Sequence, residues 1–226
     1  MAVKLHKSWT DALARRPETG MGYQIVELRG IGLRPQHIVV VNGMEAVEPA
    51  RGRLVVSEGV EKSVVDRVVT ALSKSASDTS FRVLSRVEAV AIKAIDSRSL
   101  PGTGPASEAP LESSKPQERF LRYSAYANDV RILADGSVLP GTYVTTYDDG
   151  MTHVKTGRDA VRRYALPNPT PAIHRYHLKP PEPVTVRRGT VQPAFGQPGG
   201  GVEVIFETGS PPGTGTKEKQ DQIPPE

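Results

Sequence analysis

Polar and apolar positions in the first hundred residues fall into two periods. Tyr23-Gln-Ile-Val-Glu-Leu alternates and is rich in strand formers, and His37-Ile-Val-Val-Val runs directly into Asn42-Gly43 before Met44-Glu-Ala-Val-Glu. Asn-Gly between apolar runs is a tight-turn signal, so these stretches predict a hairpin. Arg53-Leu-Val-Val-Ser predicts a third strand. The period then lengthens. Val60, Val64, Val65, Val68, Val69 and Leu72 recur at helical spacing, which predicts an amphipathic helix over residues 60–73 with one buried stripe. Its β-branched content lowers intrinsic helix propensity, so the helix needs a surface to pack on, and the hairpin supplies one. Residues 81–95 carry both patterns and read as a strand followed by a helix.

Breakers then dominate. Leu100-Pro-Gly-Thr-Gly-Pro-Ala-Ser-Glu-Ala-Pro combines proline, glycine and small polar residues, so residues 97–117 read as a flexible linker. Beyond it, Phe120-Leu-Arg-Tyr-Ser opens a second block. A turn follows at Asp135-Gly136, then a β-branched and aromatic strand, Thr142-Tyr-Val-Thr-Thr-Tyr, ending at Asp148-Asp-Gly. Residues 157–164 form a short helix with Thr156 as its cap, stopped by Leu166-Pro-Asn-Pro-Thr-Pro. Strands are expected at 173–178 and 184–187, and a last one at Val202-Glu-Val-Ile-Phe behind Gly199-Gly-Gly. From residue 209 almost no apolar residue occurs, which predicts a disordered tail over 209–226. The fold class is therefore α+β in two small domains: an N-terminal α+β module (1–96), the linker (97–117) and a β-rich domain (118–208).

Composition narrows the classes of function. The 226 residues carry no cysteine, so disulfides, thiolate nucleophiles and cysteine zinc sites are excluded. No run of about 18 apolar residues exists to span a membrane. The N-terminus is charged and lacks the apolar stretch of a secretory signal, so the expected location is cytoplasmic, or external by a signal-independent route. A net charge of +4 is spread among mixed signs, with no basic stripe to track phosphates, so there is no strong nucleic-acid signal.

The candidate chemistry lies in the second block. Glu203 interrupts an apolar strand. It either faces solvent or projects into a cleft that the triglycine leaves open, and a flexible turn also accounts for three glycines. Arg122, among Phe120, Leu121 and Tyr123, either binds an anion with its planar fork or sits in a structural ion pair. Tyr143, Thr145 and Thr146 offer an aromatic and hydroxyls on one strand, although Tyr and Thr are also ordinary strand formers. Gln197 either donates to a ligand or shapes the turn before the glycines. His174 and His177, three apart in a strand, lie on opposite faces, which argues against a shared metal.

The order of these features resembles the ADP-ribosyltransferase superfamily, in particular its small bacterial toxin-type domains: an arginine in an opening strand, a Gly-Thr-Tyr-Val-Thr-Thr strand, then a glutamate in a late strand behind Gly-Gln-Pro-Gly-Gly-Gly. The resemblance covers residues 118–208. It implies a split-sheet fold and NAD as substrate, with the nicotinamide–ribose bond cleaved and a macromolecular acceptor or an immunity protein as partner. Glu203 and Arg122 would be the catalytic pair, and Tyr143, Thr145, Thr146, Tyr123 and Gln197 would line the NAD site. Gly201 stands where many members carry Glu or Gln two residues before the catalytic glutamate, which points away from arginine modification. The alternative is a non-catalytic interaction module with a structural Arg–Glu pair. The N-terminal module either binds a partner, neutralises the toxin-like half or delivers it.

Overall fold

The computed structural model describes residues 2–47, 60–95, 97–167 and 170–226, so the strand expected from Arg53 lies outside the described residues. Two antiparallel sheets and short helices make an α+β protein. The first sheet joins β1 (Val3–Lys4), β2 (Tyr23–Arg29), β3 (Gln36–Val41), β4 (Glu45–Val47) and β5 (Ser80–Leu84) in the order β1-β4-β3-β2-β5. The Asn42-Gly43 turn links β3 to β4 with φ of 49° and 59°, the type I′ geometry that Asn-Gly favours. Alternation sends Val26 and Leu28 of β2, with Ile38 and Val40 of β3, to one face. Trp9 and Leu13 of α1 (Lys7–Ala14) and Val68 and Leu72 of α2 (Lys62–Ser73) cover that face, so the valine-rich helix finds the surface it needs. Strand β5 leads into α3 (Arg86–Ala91), which starts on a Ser85–Glu88 capping box, as the strand-then-helix expectation required.

The second sheet contains β6 (Glu112–Ser113), β7 (Phe120–Ser124), β8 (Thr142–Thr146), β9 (His174–Leu178), β10 (Thr185–Thr190), β11 (Val202–Phe206) and β12 (Gly215–Gln222), ordered β12-β9-β7-β8-β11-β10-β6. One face carries Phe120, Val144, Tyr176, Val204 and Phe206, closed by Ile132 and Val138 from the connection between β7 and β8. The other face carries Leu121, Tyr123, Tyr143 and Ile205. It shares a single buried cluster with Tyr23, Ile25, Val39 and Val41 of the first sheet. Ala160 and Val161 of α5 (Gly157–Arg163), with Tyr164 just after it, complete that cluster.

Three expectations are revised. The halves are not separate domains, because the inner faces of both sheets exclude water by covering each other. The segment 97–117 is not a free linker. It forms a 3₁₀ turn (Ala106–Glu108) and β6, and lies across β10, where Thr190 N–H donates to Gly104 C=O at 2.8 Å. The tail is not disordered. Strand β12 pairs with β9, Ile223 is buried, and the carbonyls of Pro224 and Pro225 accept the Gly157 and Arg158 N–H groups at the start of α5. The polar composition of residues 215–222 suits the edge position that β12 holds in the sheet, and it also reads as disorder in sequence. Among the described residues no helix is long and apolar enough to cross a membrane.

Candidate functional site

Strands β7 and β8 pair only at Phe120–Thr146 and Leu121–Thr145 and then diverge. In the gap, Glu18 from the loop before β2 takes the place of a strand partner. Its Oε2 accepts the Tyr143 N–H at 2.9 Å, while Arg122 Nη1 donates to the Tyr143 carbonyl at 2.7 Å. Arg122 grips Glu18 with both terminal nitrogens (2.7 and 2.9 Å), and its Nε donates to Asp129 Oδ2 at 2.7 Å. The Arg122 side chain is 0% exposed. Burial alone would weaken the charge of such a guanidinium, but the Asp129 and Glu18 carboxylates hold its pKa well above the ordinary value. Beside this network Arg131 reaches the carbonyls of Ala14 (2.9 Å), Arg16 (2.8 Å) and Pro140, tying the halves together.

Glu203 lies elsewhere. Leu121, Tyr143 and Ile205 share the inner cluster, whereas Phe120, Val144, Val204 and Phe206 share the outer one. Period-two geometry therefore puts Glu203 on the inner face and Arg122, in step with Phe120, on the outer side. The expected catalytic pair is not brought to one hollow. Arg122 has a structural role, and the physical reason is the Glu18 carboxylate that the sequence pattern gave no means of locating.

Around Glu203 a different set converges. It is 5% exposed, sits opposite Gly189 of β10, and its Oε1 accepts the Ala106 N–H at 2.8 Å. Burial raises its pKa from 4.5 to about 7, against the opposing pull of that N–H and of the Arg86 guanidinium. Tyr143 is held well above the usual phenol value, first by burial and then by the Glu203 charge. Tyr23 is raised to about 12 by burial, with Arg86 acting against the shift. Both phenols therefore stay protonated at neutral pH. Arg86 is 9% exposed, at the first turn of α3, and together with Tyr23 comes from the N-terminal half. Neither was singled out in the sequence, because no motif spacing connects β2 or α3 to β11.

The other expected residues divide between the two regions. Thr145 is on the inner face, 3.3 Å from Asp149 Oδ2. Burial pushes the Asp149 pKa up, but Arg163 and the Tyr164 hydroxyl (3.0 Å) outweigh it and hold it low. Asp149 belongs to α4 (Tyr147–His153), which the Asp-Asp-Gly sequence disguised as a turn. Gly150 lets that helix lie against β7, since a Cβ there would come within 2.7 Å of Leu121. Tyr123 is also on the inner face, stacked on Tyr164 at 5.4 Å. Thr146 caps α4, accepting the Asp149 N–H at 3.3 Å, and lines an open groove of about 580 Å³ with Arg119, Tyr147 and Arg188. Charges there balance, Arg188 already pairing with Glu112 and Glu118. Gln197 closes a tight turn on Ala194, with positive φ at Phe195 (52°) and Gly196 (76°). The triglycine is accounted for by packing: Gly199 and Gly200 have positive φ, and a Cβ on Gly201 would lie 2.6 Å from the Tyr164 ring.

His174 and His177 face opposite sides of β9, and among the described residues no group of three His, Asp or Glu side chains is arranged to hold a metal. Comparison of the chain with protein-family models, with curated proteins and with solved structures gives no match.

Proposed function

We propose that the chain cleaves the nicotinamide–ribose bond of NAD, with Glu203 rather than an Arg122–Glu203 pair as the centre of the reaction. The observation that carries this reading is the convergence of a buried carboxyl, poised to titrate at about pH 7, with Tyr143, Tyr23 and Arg86 from three other elements. Catalytic groups need shifted pKa values, so strongly shifted groups gathered from distant parts of a chain make a candidate for a site of chemistry.

In this reaction the C–N bond breaks, neutral nicotinamide leaves with the bonding pair, and positive charge develops on the ribose. Water then adds at the same carbon and loses a proton. Ionised Glu203, enclosed away from solvent, stabilises the developing charge more than it would in water. It can take up the released proton because its pKa lies near neutrality. Tyr143 and Tyr23, held protonated, supply O–H donors and aromatic faces, and Arg86 supplies the positive charge that a diphosphate needs.

A second reading is a non-catalytic interaction module. It is favoured by Arg122, whose three contacts with Glu18, Asp129 and the Tyr143 carbonyl are those of an internal fastening. One experiment separates the two. Purified protein is incubated with NAD, and nicotinamide release is followed by chromatography for wild type, Glu203→Gln and Gly189→Ala. The NAD reading requires release by wild type or Gly189→Ala, and its loss in Glu203→Gln. If neither of the first two proteins releases nicotinamide, the interaction-module reading replaces it.

A further inference from the structure

The Glu203 cluster is roofed by residues 100–109, and the way this strap is held differs from the rest of the fold. Leu100 N–H donates to Gln192 Oε1 at 2.9 Å, Gln192 Nε2 to Thr103 Oγ1 at 3.2 Å, and Arg187 Nη1 to the Ala109 carbonyl at 2.5 Å. The Thr190–Gly104 and Ala106–Glu203 hydrogen bonds complete the attachment. Only Ala106 of these ten residues is buried. The strap is thus fixed mainly by polar contacts, and Ala106 alone among its residues joins the inner apolar cluster. Segments so held belong to the least stable parts of a fold and open without global unfolding.

Two further observations concern the closed position. The Ser107 hydroxyl is buried there without a hydrogen-bond partner, a cost that closure bears and opening relieves. Beneath the strap, β10 carries Gly189, where a Cβ would stand 2.2 Å from Ala106 N and 2.5 Å from the Pro105 carbonyl carbon. The strand is bare at the point where the strap lies flat on it. Pro101 and Gly102 (φ +72°) before this contact, and Pro110 after it, punctuate the segment at both ends.

We infer that residues 100–109 are a lid over the Glu203 cluster, latched by the Ala106 amide on the Glu203 carboxylate, which lifts to admit substrate. The latch occupies Oε1, one of the two carboxylate oxygens, so it has to let go before a substrate can reach that oxygen, and the site is enclosed again when the strap settles over the bound substrate. This inference rests on the NAD reading for its purpose, but the opening itself can be measured without it.

Hydrogen exchange on the wild-type full chain reports the lid directly. The amides of Leu100, Ala106 and Thr190 should exchange at least about tenfold faster than those of Gly141 and Tyr143, with little dependence on added denaturant. Exchange of all five in step, rising together with denaturant, overturns the lid. Gly189→Ala forces the strap off its seat, and protection at Ala106 should fall at least about tenfold while Gly141 and Tyr143 are unchanged. Nicotinamide release should rise in the same variant. Local opening with no release by either protein retains the lid and removes the NAD reading. Release without local opening does the reverse. If Gly189→Ala does not fold, the wild-type exchange pattern alone decides.

Discussion

Glu203 titrates in a place where its charged form is disfavoured, and this makes the stability of the whole chain depend on pH in a calculable way. The carboxyl has an ordinary pKa of 4.5 and one of about 7 in the fold. Since each pH unit is worth about 1.4 kcal/mol, ionising it in place costs roughly 3 kcal/mol. The sign follows from the raised value. The folded protein prefers the protonated group, so this contribution is fully present below pH 4.5, declines as pH rises through 7, and is flat above. Glu203→Gln keeps the shape and an oxygen to accept the Ala106 N–H, but cannot ionise. Wild type and variant should therefore have similar stability near pH 4.5. At pH 8 the variant should be the more stable by up to roughly 3 kcal/mol, less the cost of any amide N–H left without an acceptor. Urea unfolding at half-unit steps from pH 4.5 to 8.5 measures this, and unchanged slopes against denaturant would show that only stability has moved. Parallel pH curves for the two proteins would show that Glu203 is solvated, and would refute the account of its environment.

Two further predictions concern the junctions that the sequence concealed. Glu18→Ala leaves the Arg122 guanidinium buried with one carboxylate instead of two, and should destabilise the chain by about 3–5 kcal/mol in chemical denaturation; a loss under 1 kcal/mol would show that water reaches the pair. Deleting residues 215–226 exposes the edge of β9 and unseats Ile223, whose burial alone is worth about 1.5–3 kcal/mol, so the melting temperature should fall clearly. A disordered tail would leave it unmoved.

Much of the local structure was legible because it rests on periodicity and turn chemistry. The β3–β4 hairpin follows from Asn42-Gly43, α2 from the valine stripe, and α5 from Thr156, whose hydroxyl accepts the Asp159 N–H at 3.1 Å. The site was legible in part. Glu203, Tyr143, Thr145 and Tyr123 do share one face, because alternation within a strand is a local property once register is known. What could not be read was long-range. Arg122 is satisfied by Glu18, 104 positions away, and Arg86, at the start of α3 in the N-terminal half, acts on Glu203 through its charge. The strap and β12 were missed for a related reason: their polar composition is that of chain in contact with water, which edge strands and coverings share with disordered segments.

The insertion of Glu18 between the diverging strands bears on any attempt to divide this protein. Cutting the gene near residue 97 would leave the downstream product with an enclosed guanidinium that keeps Asp129 but loses its other carboxylate, and with a Tyr143 amide that lacks its acceptor. The upstream product would keep a carboxylate with nothing to hold. Each piece should be sticky and poorly behaved alone, and the two should recover their shape on mixing, so a truncation meant to isolate the chemistry has to retain the loop that carries Glu18.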